Sequence, residues 1–184
     1  MVTFGEANYN VLPCCLKITL ERSTDPSTLI NIFGSYNYLL LAVSESTLRT
    51  LHDRLTGVRA ADSLGKIIAM AWEYSQFAHE QRQAFKLVFE LQLLDSEPLP
   101  ESQGQLIAGL FTLIERELAQ LFPEVTPVQH LSMSRVLWGG IHGLTSLSLD
   151  NKLFAESLSL RDLLKSHVQA YLQGMGYQKE LSCC

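Results

Sequence analysis

The chain has 184 residues, of which 47% are hydrophobic and only 18% charged, with a formal net charge of −5 at pH 7. That charge content is below the roughly 25% of an average soluble domain, so some apolar surface is expected to be buried against a second chain or around a ligand. No run of about 18 apolar residues offers a membrane span, and the acidic balance gives bulk charge no part in holding nucleic acid.

The opening MVTFGEANYN has neither the basic nor the apolar part of a secretory leader, so a cytoplasmic location is expected. The cysteines form two vicinal pairs, Cys14-Cys15 and Cys183-Cys184, with no zinc-ligand spacing. Adjacent cysteines rarely bridge each other, which fits a reduced compartment.

Breakers fall at Thr24-Asp25-Pro26, Gly34-Ser35, Thr56-Gly57, Ser96 to Gly104, Phe122 to Pro127 and Asp150-Asn151. Between them the apolar residues keep a helical period and no segment alternates as a strand does, which predicts an all-α chain of about eight helices. Leu16 to Arg22 reads as an early helix, and Asp25-Pro26 opens the next. Further on, Leu64, Ile67, Ile68, Ala71, Tyr74 and Ala78 trace one helical face. A longer Pro/Glu/Ser loop is expected near residues 95–104. After it Leu106, Ile107, Leu110, Leu113, Ile114 and Leu121 trace a second face. Thr126-Pro127 supplies a cap and a first-turn proline for a helix running to about Leu149. Ser159 to Asp162 reads as a capping box for a last helix, with Leu160, Leu163, Leu164, Tyr171 and Leu172 on one face, reaching Gln173.

Two stretches carry a family resemblance. The first, Asp25 to Val43, reads DPSTLINIFGSYNYLLLAV. It resembles the recognition helix and following turn of tetracycline-repressor (TetR) family regulators, with Thr28, Leu29, Phe33, Ser35, Leu39 and Val43 on the framework. The resemblance implies a helix-turn-helix region over residues 1–45, with Lys17, Ser27, Thr28, Asn31 and Tyr36 as candidate DNA contacts. The departures are specific. Ile30 stands at the family's tyrosine position, Ile32 at its histidine and Tyr36 at its phosphate-contacting lysine, while Thr19 and Ser23 replace a small residue and a turn glycine. Isoleucine can neither bind phosphate nor read a base edge. Through residue 56 there are four Lys/Arg and five Asp/Glu, where such a head normally concentrates positive charge. About ten residues precede Val11, too few for the family's first helix, so the head is expected to be incomplete or altered.

The second stretch, Ser134 to Leu147, reads SRVLWGGIHGLTSL. It resembles the Trp-x-x-x-His-Gly signature of one class of C-terminal domains in that family. Ala71 to Glu80 followed by Phe85 to Phe89 is similar to two earlier helices of the same class, with Gln81 or Arg82 where proline is usual. Together the resemblance spans about residues 16–172. Over residues 46–184 it implies an effector-binding and dimerisation domain whose last two helices pair with a second copy. A repressor released from operator DNA by a small hydrophobic effector is the function implied. A TetR-like dimer that has lost DNA binding, and acts by binding ligand or protein, stands beside it.

Trp138 and His142 lie four apart, hence on one helical face, and are candidates to line the effector pocket with Trp72, Phe77, Phe89 and Phe111. The other reading makes them core residues, with the histidine satisfied by a neighbouring carbonyl. Gly139, Gly140 and Gly143 each cost a helix roughly 1 kcal/mol against alanine, so a close helix approach is expected to compensate. Glu115, Arg116 and Glu117 read as a solvated face, and Lys17 and Arg22 as phosphate contacts or plain surface. His142 has no nucleophile or orienting carboxylate at a recognisable spacing, and His79, His130 and His142 have no paired metal spacing. No enzyme, metal or cofactor is therefore expected.

Overall fold

Six helices and no strand form among the residues that the computed structural model describes, which are 36–90, 100–153 and 157–178. They are α1 (Tyr36–Gly57), α2 (Ser63–Glu80), α3 (Arg82–Glu90), α4 (Glu101–Leu121), α5 (Pro127–Leu149) and α6 (Leu160–Gly174). The two expected earlier helices lie outside the described residues, as does the recognition-like stretch up to residue 35, while its remainder from Tyr36 to Val43 belongs to α1. None of the described helices is long and apolar enough to cross a membrane.

Local chemistry sets the helix boundaries. The Asp62 carboxylate accepts from the Gly65 amide and opens α2. Thr126 and Gln129 form a reciprocal capping box at the start of α5, with Pro127 in the first turn. At α6 the Ser159 hydroxyl accepts from the Asp162 amide at 3.1 Å and donates to the Asp162 carboxylate at 2.6 Å. Helices α5 and α6 end alike. Asn151 (φ 55°) and Gly176 (φ 95°) take the left-handed conformation just past each end. Lys152 N–H then reaches the Leu147 carbonyl, and Tyr177 N–H the Leu172 carbonyl, satisfying groups the helix itself leaves free.

Helix α2 packs against each of the other five. Its predicted face is buried at Leu64, Ile67, Ala71, Tyr74 and Ala78, and widened by Met70 and Phe77, because it has neighbours on several sides. Leu118, Leu137, Ile141, Leu164, Val168 and Leu172 complete the core around it. Each such side chain contributes about 1.5–3 kcal/mol through burial.

Helix α4 departs from expectation. It already begins at Glu101, with Pro100 at the cap position but no side-chain capping bond, so residues 101–104 are helix rather than loop. The buried Gln103 amide donates to the Leu41 carbonyl of α1 at 3.0 Å, which anchors this first turn. Its predicted apolar face is only half-buried, and Gln103 and Leu118 are the residues of α4 that are fully enclosed. Glu115 and Glu117 are not a solvated face either. Glu117 pairs with Lys66 of α2 at 2.6 Å, and Glu115 with Arg135 of α5. Arg54 of α1 holds both Glu73 and Glu80 of α2, while Asp150 draws in Lys86 at 2.6 Å and Arg82 and Lys152 at 3.6 Å. Much of the sparse charge thus links one helix to another. Finally, α1 runs unbroken across residues 45 and 46, where the sequence suggests a division.

Candidate functional site

The half-buried stripe of α4 faces a void. Ile107, Leu110, Phe111 and Ile114 form one wall of a cavity of about 270 Å³, near the lower end of the ~300–1,000 Å³ of small-molecule sites. Leu48, Leu51 and Leu55 of α1 form a second wall, and Ile67, Met70, Ala71 and Tyr74 of α2 a third. Trp138 and Ile141 of α5 and Phe89 of α3 close it. Phe89 remains 39% exposed, which places it at the rim. The three- and four-residue spacings on each helix bring these side chains onto one face, so several helices turn hydrocarbon toward the same space.

Beside one end of the cavity an aromatic cluster encloses a few polar groups. The Trp138 and His142 rings stack with centroids 4.9 Å apart. Phe89 lies 4.5 Å from the imidazole and 5.9 Å from the indole, and Phe111 meets the indole edge-on at 5.5 Å. The Tyr74 hydroxyl sits 2.8 Å from His142 Nδ1, and the Ser146 hydroxyl 3.3 Å from Nε2. Phe85 packs against both Tyr74 and His142. Burial pushes the Tyr74 hydroxyl well above the ordinary phenol range, with hydrogen bonding to Trp138 pulling weakly the other way. Desolvation holds His142 below the usual imidazole value. Both groups are therefore neutral at pH 7. Such a site can enclose apolar matter, while its neighbouring polar groups satisfy one another.

Of the six sequence-predicted ligand residues, Phe89, Phe111 and Trp138 line this cavity. His142 stands one helical turn beyond Trp138, behind Tyr74, and its partners are hydroxyls rather than a carbonyl. Trp72 and Phe77 are not brought there. Trp72 follows Ala71 by one residue, about 100° around the helix, and borders a separate mixed cleft under the Arg161 guanidinium of α6. Phe77 is enclosed in the core, with Arg54 lying 5.6 Å from its ring centroid. Lys17, Ser27, Thr28 and Asn31 lie outside the described residues, and Tyr36 is the first residue of α1.

Sequence reasoning missed Tyr74 as a site residue, as well as the α1 leucines. Tyr74 was legible as a buried position, but its polar partner is 68 residues away, and no local spacing records that. The three histidines weighed as metal ligands are each hydrogen-bonded elsewhere: His79 Nδ1 to the Ser75 carbonyl, His130 to the Phe122 carbonyl, His142 to Tyr74.

Comparison with known proteins adds a family. Residues 67–171, more than half of the chain, match the family described as "Tetracyclin repressor-like, C-terminal domain". The match starts at one cavity residue of α2 and ends within α6. A solved structure, described as a protein with unknown function from Rhodococcus sp. RHA1, is similar in fold with a TM-score of 0.68. It is 16% identical, and the alignment covers 95% of this chain and 98% of that one. A search of curated proteins returns no match.

Proposed function

Since the chain belongs to the tetracycline-repressor family through its C-terminal domain, we propose that it is a dimeric transcriptional regulator controlled by a small hydrophobic effector in the α1–α5 cavity. The observation that carries this reading is that α1 lines the cavity with Leu48, Leu51 and Leu55 and leads directly out of the stretch resembling a recognition helix. An effector pressing on α1 is thereby coupled to the placement of the head. Coupling requires the effector to bind one placement better than the other, and DNA affinity then falls by the same factor.

Support for self-association comes from α5. Val128, Val136 and Leu147 are 76%, 56% and 43% exposed. With Gly139 and Gly143 they share about 100° of the helix surface, opposite the buried Leu137 and Ile141. A methyl group at either glycine would meet nothing within 4 Å. On the neighbouring α6, Ser166 and Ala170 are small and exposed. An apolar, small-residue face over two adjacent helices suits a two-fold contact with the same face of a second copy.

The second reading keeps the dimer and the cavity but not DNA binding. It is favoured by the stretch from Asp25 to Tyr36, which contains no lysine or arginine. Fluorescence anisotropy with the DNA upstream of the coding sequence and a scrambled control separates the two. Sequence-selective binding that weakens when the cavity is filled supports the regulator. Equal, weak binding to both DNAs in a protein that still takes up ligand supports the second reading.

A further inference from the structure

A second recess lies on the side of α2 away from the cavity, and we propose that it is a separate binding site for a small aromatic carboxylate. Its floor is formed by Ile68, Ala69 and Trp72 of α2, all half-buried. Arg59, from the connection between α1 and α2, and Arg161 of α6 are exposed and stand at its rim. The recess measures about 390 Å³, within the range of small-molecule sites. Ile67, Met70, Ala71 and Tyr74, which line the cavity, lie about half a turn around α2 from this floor. The two sites therefore share a helix but no residue.

Charge sets this recess apart. Most cations of the helical body face a carboxylate. Arg59 and Arg161 are in no ion pair among the described residues. Arg59 donates to the Thr56 and Val58 carbonyls at 2.8 and 3.1 Å, and the Arg161 guanidinium lies 5.5 Å from the Trp72 ring centroid. The carboxylate among the lining residues, Glu73, is held at 2.5 Å by Arg54, which stands outside the recess. Asp62 and Asp162 do not line it, and they are engaged by the Gly65 amide and the Ser159 hydroxyl. Two positive charges are left over an apolar, aromatic floor. A carboxylate accepts paired, charge-assisted hydrogen bonds from such guanidinium groups. A flat ring attached to it covers Ile68 and Trp72, which the single chain leaves half-exposed. Bare phosphate would satisfy the cations and leave the floor in water, while a neutral ring would cover the floor and leave the cations unmatched.

The chain has two tryptophans, one in each site. The full-length Trp138→Phe variant therefore reports from Trp72 in the recess, and Trp72→Phe from Trp138 in the cavity. Titrated at pH 7, the first is expected to change emission with benzoate, and to bind benzamide and inorganic phosphate at least ~tenfold more weakly. The second is expected not to respond to benzoate. Arg59→Gln and Arg161→Gln, both at exposed positions, are each expected to weaken benzoate about tenfold and to leave benzamide unchanged. Benzamide or phosphate binding as tightly as benzoate overturns the aromatic carboxylate. A benzoate response from Trp138 in place of Trp72, or from neither, overturns the site and leaves the effector cavity a separate question. Undiminished benzoate binding in both glutamine variants, measured by calorimetry on the otherwise unaltered chain, overturns it too. That last comparison remains decisive if Trp138→Phe does not fold.

Discussion

His142 is surrounded by Tyr74, Phe85, Phe89 and Trp138, with Ser146 on its second nitrogen, and none of these carries charge at neutral pH. Desolvation holds its folded pKa below the unfolded value, which is near 6.5. As pH falls through that value the unfolded chain takes up the proton first. The stability contributed by neutral His142 is thus fully present above about pH 6.5 and is lost as pH falls toward the folded pKa. The melting temperature should drop between pH 7 and pH 5, and drop less in His142→Asn, whose amide can still pair with Tyr74. Parallel curves for the two proteins, followed by circular dichroism, would show that His142 does not carry this linkage. Gly140 makes a second residue-scale case. A methyl there would lie 2.1 Å from His167 Nε2, on a ring that also sits 3.2 Å from the Leu137 carbonyl. Gly140→Ala should cost about 1–3 kcal/mol through overpacking. Gly104→Ala, exposed with open space around it, should instead gain up to ~1 kcal/mol. Equal urea midpoints for the two variants would mean that His167 swings aside freely. The sequence pointed to close packing at Gly139, Gly140 and Gly143. It could not say that Gly140 meets α6 within the chain, since that depends on how α5 and α6 cross.

At the scale of the element, α5 has two apolar sides with separate tasks. One packs Leu137 and Ile141 into the core, and the other leaves Val128, Val136 and Leu147 outside. Val136→Glu should convert the proposed dimer to a monomer with little change in helical content, since its position is 56% exposed in the single chain. Light scattering at micromolar concentration is the measurement, and an unaltered mass would move the contact to another face. Leu137→Ala tests the other side and should cost about 2–5 kcal/mol, read from denaturant unfolding. The bounds of α5 and α6 were legible because Thr126-Pro127, Ser159 and Asp150-Asn151 act locally, through their own side chains and neighbouring amides. The start of α4 was misread because proline, glutamate and serine suit a loop and a first helical turn alike. What favours the helix is Gln103 bonding to a carbonyl of α1, a contact 62 residues distant.

At the scale of the whole molecule, the charge on the proposed head sets how it meets DNA. Arg49 and Arg54 are engaged by Glu45, Glu73 and Glu80, which leaves Lys17 and Arg22 as the other cations before residue 56. A dimer using both from each chain would neutralise about four phosphates, for a salt slope of log K near −4. Anisotropy across a salt series should give a slope no steeper than that, with affinity at physiological salt close to that for unrelated DNA. Ile32→His and Tyr36→Lys together should tighten binding and steepen the slope. Nanomolar, sequence-selective binding by the unaltered chain would overturn the reading of a weakened head.

Helical class, the main helix faces and the pairing of Trp138 with His142 on one side of α5 were determined by the sequence alone, because periodicity and capping are local properties of a chain. Its motifs were enough to suggest the family to which residues 67–171 belong. Only the tertiary structure decided where the apolar faces leave a gap. Ile107, Leu110 and Ile114 have the same pattern whether a helix fills the space beside them or not. That Trp138 faces the gap while Trp72 lies under Arg161 follows from the placement of α2 among its five neighbours. Cavities and cross-helix hydrogen bonds are relations between segments far apart in the chain, and a one-dimensional pattern contains their parts without their meeting.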